Sequence, residues 1–292
     1  MSMTDVEQDK GGAALAAELR QVEARRRERW CQTPETRVAG PEEATRLIER
    51  VGIATLFPAS PEVPNLFHAY VGDPGAQTSS QWDSPSGHVY GWRWALGRRE
   101  AAFYSALVRG RPTWISWALF PAMLRLCGEP RTPDELYDTG ELSGEAYRIA
   151  QALDAAGGVL STGELRRQAG FPTGKAQRAA YLKAVDELDN RLLLAKVFSA
   201  DDDDMRHALV RARYPEHVAR AEQMTRVDAM DAFLTTYLPA AVYAVPAVLA
   251  KHLKLPEAEL RAGLDRLANA GRVTTLALPE QKGMCYLWGD QL

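Results

Sequence analysis

The sequence predicts a mainly α-helical protein with small β-hairpin wings, an α+β fold built from tandem winged-helix modules. Two observations carry this expectation. From about Leu142 to the C-terminal end, one order of elements (helix, short helix, longer helix, hairpin) occurs twice at similar spacing. Such a recurrence is much harder to reach by chance than either copy alone. Each copy also marks its boundaries with capping and breaking residues, so the order does not rest on apolar periodicity alone.

Taken in order, the first region, 13–141, is helical and aromatic-rich, and a divergent winged-helix module would also fit it. Ala13 to Trp30 has helical spacing, and its Arg20, Arg25, Arg26, Arg27 and Arg29 read as a solvated surface face rather than a phosphate contact. Pro41 opens a second helix to Val51, with Leu47, Ile48 and Val51 on one face. Gly52 to Leu56 reads as a buried apolar segment and Gly72 to Gly87 as a loop. Glu100 to Arg109 reads as a helix stopped by Gly110-Arg111-Pro112, and Thr113 to Leu126 as another, broken at Pro121. Thr132-Pro133-Asp134-Glu135 is a capping box.

The first winged module is expected over 142–214. Its opening helix carries Ala146, Ile149, Ala150 and Leu153 and stops at Gly157-Gly158. Val159-Leu160 forms a short edge strand, and Ser161-Thr162-Gly163-Glu164 caps the second helix. The third helix runs from Gly174 to Asn190 with Leu182, Val185 and Leu188 inward. The wing is read from Leu192 to Phe198 and from Ala208 to Arg213, with Asp201 to Asp204 at its tip. The second module, 215–292, repeats this order with helices at Val227 to Leu238, Val245 to Leu253 and Pro256 to Ala270. Its hairpin is Arg272 to Leu278 with Met284 to Trp288, around Pro279 to Gly283.

In a helix-turn-helix the third helix enters the major groove, so its exposed residues meet phosphates and base edges. In the first module that face is Lys175, Gln177, Arg178, Tyr181 and Lys183, with Arg166 and Arg167 holding the backbone from the preceding helix. The second module's third helix exposes Glu257, Glu259 and Asp265 beside Arg261 and Arg266, which suits packing better than DNA. DNA is therefore the expected partner. With a net charge of -3, affinity has to come from local patches. The four aspartates at the wing tip would repel phosphates and read as a solvated loop rather than a metal site.

Composition excludes several classes. Three scattered cysteines, Cys31, Cys127 and Cys285, make neither a disulfide framework nor a thiolate metal site and fit a reducing cytoplasm. Met1 to Gly12 lacks the regions of a signal peptide, and no apolar run is long enough to span a membrane. Gly170 to Lys175 lacks the P-loop spacing, and neither a Gly-x-Ser-x-Gly elbow, a His-Glu-x-x-His pair nor a Cys-x-x-Cys occurs, so no metal and no cofactor are expected.

The apolar stretch near Leu47 to Leu56, then Phe57-Pro58-Ala59-Ser60-Pro61-Glu62-Val63-Pro64, Trp82-Asp83, Tyr90-Gly91-Trp92-Arg93-Trp94, Ala102-Phe103-Tyr104 and Leu160 to Arg166 follow one another in this chain. Their order resembles the AlkZ-related branch of the AlkZ/YcaQ-like winged-helix proteins from about Pro41 onward. The resemblance implies DNA binding linked to damage recognition or repair. Catalytic members of the wider family are metal-independent DNA glycosylases, whose signature is glutamine, an apolar residue, then glutamine or aspartate. The matching stretch here is Thr55-Leu56-Phe57, so the resemblance carries over the architecture and not those catalytic glutamines. If other residues supply the chemistry, Asp83 or Glu62 would be the carboxylate, with His68 or His88 as partner. Trp82, Trp92 and Trp94 would then form an aromatic pocket. A noncatalytic transcription regulator or protein-interaction scaffold is the other expectation for the same modules.

Overall fold

A computed structural model describes residues 19–277 and 284–289. Met1 to Gly12, residues 13–18 of the expected first helix, and Leu278 with the expected hairpin tip Pro279 to Gly283 lie outside the described residues.

The helix–strand–helix–helix–hairpin order occurs three times. The first instance follows α1, helical over residues 19–29, and comprises α2 (Pro41–Val51), β1 (Ile53–Thr55), α3 (Leu66–Val71), α4 (Pro85–Arg98), β2 (Phe103–Ser105) and β3 (Thr113–Ile115). After α5 (Phe120–Cys127) and α6 (Pro133–Asp138) comes the second: α7 (Gly144–Ala156), β4 (Leu160–Ser161), α8 (Thr162–Gln168), α9 (Lys175–Asn190), β5 (Leu194–Phe198) and β6 (Met205–Leu209). The short α10 (Val210–Arg213) and α11 (Pro215–Gln223) lead to the third: α12 (Arg226–Ala241), β7 (Tyr243–Ala244), α13 (Pro246–Leu253), α14 (Glu257–Asn269), β8 (Val273–Ala277) and β9 (Met284–Trp288). In each sheet the first strand pairs antiparallel with the third, and the second lies on its other side: β1-β3-β2, β4-β6-β5 and β7-β9-β8. The mainly helical α+β class is therefore present, with its topology in three copies.

Local chemistry explains the helix ends. Pro41 sits in the first turn of α2 with Glu42 and Glu43, where the missing amide and the acidic charges both suit the helix N-terminus. Ala44, Leu47, Ile48 and Val51 bury one stripe, and Gly52 ends the helix at φ 78°. A Cβ on Gly52 would lie 2.8 Å from both Leu119 and Thr236, so the turn and the packing each require glycine. The capping boxes at Thr132 and Ser161 are formed, and Thr225 with Asp228 makes a third at the start of α12.

Three expectations are corrected. The segments read as helices at Glu100 to Arg109 and from Thr113 are the hairpin β2–β3, and only Phe120–Cys127 is helical. Each strand is three residues long and buried throughout, which leaves no alternation to distinguish it from a helix. The second wing strand is Met205–Leu209 rather than Ala208 to Arg213; Val197 pairs with Arg206 and Phe198 with Met205 across the hairpin. In α9 the buried stripe is Tyr181, Ala184, Val185 and Leu188, at i, i+3, i+4 and i+7, whereas Leu182 is 47% exposed.

The core is divided unevenly along the chain. Residues 136–194 include a cluster of their own, among them Leu136, Ile149, Leu153, Leu165, Tyr181 and Leu188. The main cluster joins the first and third instances of the fold, with Leu47, Ile53, Trp114 and Phe120 sharing it with Phe233, Leu234, Leu260 and Leu264. Helix α12 packs on α2, α5 and α14. Phe198, from β5, also enters this main cluster.

The second sheet contains a buried histidine with a measurable consequence. His207, on β6, is 4% exposed, and its Nδ1 has no partner among the described residues. Burial, with the Lys196 charge adding to it, pushes its pKa down to about 4. The unfolded chain titrates near its ordinary value of about 6.5, so between these values the unfolded state binds more protons. Stability is then full above about pH 6.5 and declines as pH falls towards 4. Urea midpoints at pH 7 and pH 5 should differ by less in His207→Gln than in the parent; an unchanged difference would assign the acid sensitivity to other groups.

Candidate nucleic-acid interface

The segment after β1 turns inward to make a buried charged network. The Arg26 Nη2 donates to Glu62 Oε2 at 3.1 Å and to the Tyr243 carbonyl at 2.6 Å, and Nε donates to the Ala241 carbonyl at 2.7 Å. Glu62 Oε2 also accepts from the Tyr237 hydroxyl at 2.9 Å and from the Val245 amide at 3.2 Å. Burial opposes the Arg26 charge, but Glu62 and the Tyr237 and Tyr243 phenols outweigh it and raise the guanidinium pKa. Burial, and then Glu62, raise the Tyr237 phenol well above its ordinary value. Arg26 is therefore a buried partner of Glu62, not part of a solvated basic face.

Beside this network lies an open cleft of about 670 Å³ lined by parts of α1, the 58–65 segment, the β2–β3 turn and the third sheet. The turn is forced by Arg109 at φ 53° and Gly110 at φ 71°, and it brings Arg109 and Arg111 to the cleft. Arg109 donates to the Ala59 carbonyl at 3.0 Å; the exposed Arg111 side chain has no hydrogen bond or ion pair among the described residues. Arg27, exposed on α1, makes a loose i,i+4 pair with Glu23 at 3.6 Å. His68 is fixed in the lining by Asn65 at 3.1 Å and the Ala76 carbonyl at 3.2 Å, and burial lowers its pKa. These are groups for holding an anion: cations at an opening, backed by a buried pair that neutralises itself.

The cleft also contains Gln32, which sequence reasoning passed over. It is 6% exposed, and its side chain has no hydrogen-bond partner among the described residues. Cys31, at φ 58°, turns the chain after α1 and places Gln32 in the lining. Trp30 lines the same space, with a buried indole N–H that is also unpaired. A single glutamine after a basic helix carries no sequence signal that could have revealed this.

A second cavity of about 350 Å³ lies among α5, residues 128–134, α7, α10 and α11. Three of its arginines are engaged: Arg131 by Glu129 and Glu141, Arg211 by Glu222, and Arg226 by Glu259. It offers less free positive charge for an anion than the first cleft.

The sequence-selected residues fall in different places. Glu62 is 2% exposed and fully committed to Arg26, Tyr237 and Val245, whereas Asp83 projects into solvent with its carboxylate 3.8 Å from His88 Nε2. The two carboxylates share no partner. The three tryptophans also have separate neighbours: Trp82, 72% exposed, lies edge-on to Tyr90, Trp92 packs on Tyr70, and Trp94 packs on Phe198. They do not line one of the described cavities together. Thr55 is fully buried, and its hydroxyl donates to the Phe57 carbonyl at 2.8 Å.

On α9, Lys175, Gln177 and Arg178 are exposed in the first turn and Lys183 is exposed in the middle of the helix. Tyr181 is not: it is buried edge-on against Phe171, with the Arg166 guanidinium 5.7 Å from its ring. Arg166 is half-buried and donates to the Pro172 carbonyl at 3.3 Å, while Arg167 is exposed. Asp201, Asp202 and Asp203 at the tip of the second hairpin are exposed as a solvated loop would be, and two of them, Asp202 and Asp203, also pair with arginines. Arg98 contacts the Ser199 and Asp202 carbonyls and the Asp203 carboxylate, and Arg206 pairs with Asp202. The acidic residues of α14 are also paired, Glu257 with Arg261, Glu259 with Arg226, and Asp265 with Tyr286. Among the described residues, no group of three His, Cys, Asp or Glu side chains could hold a metal ion, and no helix is long and apolar enough to cross a membrane.

The threefold helix-and-hairpin plan, with a basic cleft after its first strand, places the chain in a class of mainly α proteins built from tandem small sheets. Residues 38–253 match the family described as AlkZ related, and the chain belongs to that family. Its structure is similar to that of Streptomyces sahachiroi DNA glycosylase AlkZ, with a TM-score of 0.54 and 15% sequence identity, over 91% of this chain and 69% of the other. At this identity the likeness is one of fold. No curated protein matches the sequence.

Proposed function

We propose that the protein binds DNA through winged-helix modules spanning 13–141, 142–214 and 215–292, and that it acts in recognition or repair of damaged DNA in the cytoplasm. The observation that carries this reading is the pair of hairpin arginines, Arg109 and Arg111, at the opening of a cleft large enough for a nucleotide. Phosphates are the chemistry such a site would take, because each neutralised phosphate releases counterions and makes binding salt-dependent. Lys175, Gln177, Arg178 and Lys183 supply a second contact, with Arg167 on the backbone; the paired acids of α14 fit a supporting role for the third module. Membership of the AlkZ-related family supports the link to repair. Thr55 and Phe57 stand where the glycosylases of the wider family carry polar residues, which supports recognition without that route of base excision.

The expected result is salt-dependent duplex binding that weakens in Arg109→Ala/Arg111→Ala, with the slope of log affinity against log salt reduced by about 2. Lys175→Ala/Arg178→Ala should weaken binding separately. Fluorescence anisotropy at several salt concentrations measures both. Affinity unchanged in both double variants would reject these surfaces, and release of a base from alkylated duplex would reject the noncatalytic reading.

A further inference from the structure

We propose that the cleft holds one nucleotide unit and that Gln32 pairs with the donor–acceptor edge of its base, as on adenine. This rests on the DNA-binding reading above and names the residue that would give the cleft selectivity.

Buried polar groups in folded proteins almost always find partners. Here Gln32 and Trp30 line the same cleft and both residues are more than nine-tenths buried; the Trp30 indole N–H is buried without a partner, and the Gln32 side chain has no hydrogen bond among the described residues. The surrounding groups do not compete for them. Arg26, whose guanidinium lies 4.5 Å from the centre of the Trp30 ring, is fully engaged by Glu62, Ala241 and Tyr243. Asn65 and His68 bond to each other. An unpaired primary amide presents an acceptor oxygen beside an NH₂ donor. Its complement is a ligand edge with a donor next to an acceptor, and the N6 amine beside N7 of adenine is such an edge. The rest of the cleft describes the remainder of the ligand. Arg111 is unpaired among the described residues, and Arg109 holds only a backbone carbonyl, so both are available to a phosphate. A nucleotide unites a planar donor–acceptor edge with an anion; an inorganic phosphate would leave Gln32 unpaired, and a free base would leave the arginines unused.

The test compares strands of abasic spacers carrying one central adenine nucleotide or none. The parent protein should bind the adenine strand about tenfold more tightly. Gln32→Leu should erase that preference. Gln32→Glu, which keeps the size but removes the NH₂ donor, should erase it as well. Arg109→Ala/Arg111→Ala should weaken both strands alike and keep the preference. Competition by free deoxyadenosine monophosphate at the affinity of the strand would support the same contacts and identify a mononucleotide as the ligand. A preference that survives in both Gln32 variants, or is absent from the parent protein, overturns the proposal. Absence of salt-dependent binding to any strand or duplex overturns the DNA-binding reading itself.

Discussion

Replacing Glu62 with alanine lowers folding stability by about 3–5 kcal/mol, the cost of leaving a buried charge without its partner. The pair is 7% and 2% exposed at its two side chains, too little for solvent to take over the lost role. Glu62 Oε2 accepts from Arg26 Nη2, the Tyr237 hydroxyl and the Val245 amide at once. Tyr237 keeps a second acceptor in the Glu62 carbonyl at 2.7 Å, so most of the loss falls on Arg26 and the Val245 amide. Removing both charges in Arg26→Met/Glu62→Leu should recover much of the stability, since an apolar replacement of a buried pair is often neutral or better. Urea midpoints of the two variants measure this. The same experiment separates structure from catalysis at this carboxylate: parent-like stability combined with loss of a base-release activity would make Glu62 a chemical residue.

Phe198→Ala should cost about 3–5 kcal/mol as well, through lost burial and an unfilled cavity. The ring sits among Trp94 at 5.4 Å, Tyr104 at 5.4 Å and Trp114 at 6.0 Å between centroids. Its floor is Gly97, where an added Cβ would come within 2.1 Å of a Phe198 ring carbon. Phe198 belongs to β5 but is buried in the main cluster, so its loss should loosen β5 against β2 and α4 more than it disturbs α7 or α9. Hydrogen exchange should accelerate at Phe103–Ser105 and Leu194–Phe198 while the core of α9 stays protected. Uniform acceleration across the second sheet and α9 would contradict this view of Phe198 as an anchor. Gly97→Ala should give the same pattern by wedging the ring out.

The contrast between what was legible and what was not follows from separation along the chain. The α2 stripe and the caps at Thr132 and Ser161 were readable because their partners lie within a few residues. The first hairpin was not, since three-residue strands buried on both faces carry the composition of a helix. In α9, a rotation of one residue exchanged Leu182 for Tyr181 in the core, because both are apolar enough for either place. The basic stretch at Arg25 to Arg29 gave no sign that Arg26 alone turns inward, as its partners are 35 to 217 residues away. Gln32 and the hairpin arginines are likewise joined only by the folded chain.

The core shared between the two ends of the chain bears on the order of events during synthesis. Residues 136–194 can bury Leu136, Ile149, Tyr181 and Leu188 among themselves as soon as they have been made. The earlier sheet has no such independence. Its Arg26 and Glu62 need Tyr237, the Ala241 and Tyr243 carbonyls and the Val245 amide, and its apolar face needs Phe233 and Leu234. Although it leaves the ribosome earlier, it must wait for the segment from Phe233 to Val245, exposing apolar surface that invites chaperones in the interval. The middle segment is thus the one equipped to fold first, and a ribosome stalled before residue 226 would hold a folded middle behind an unfinished beginning.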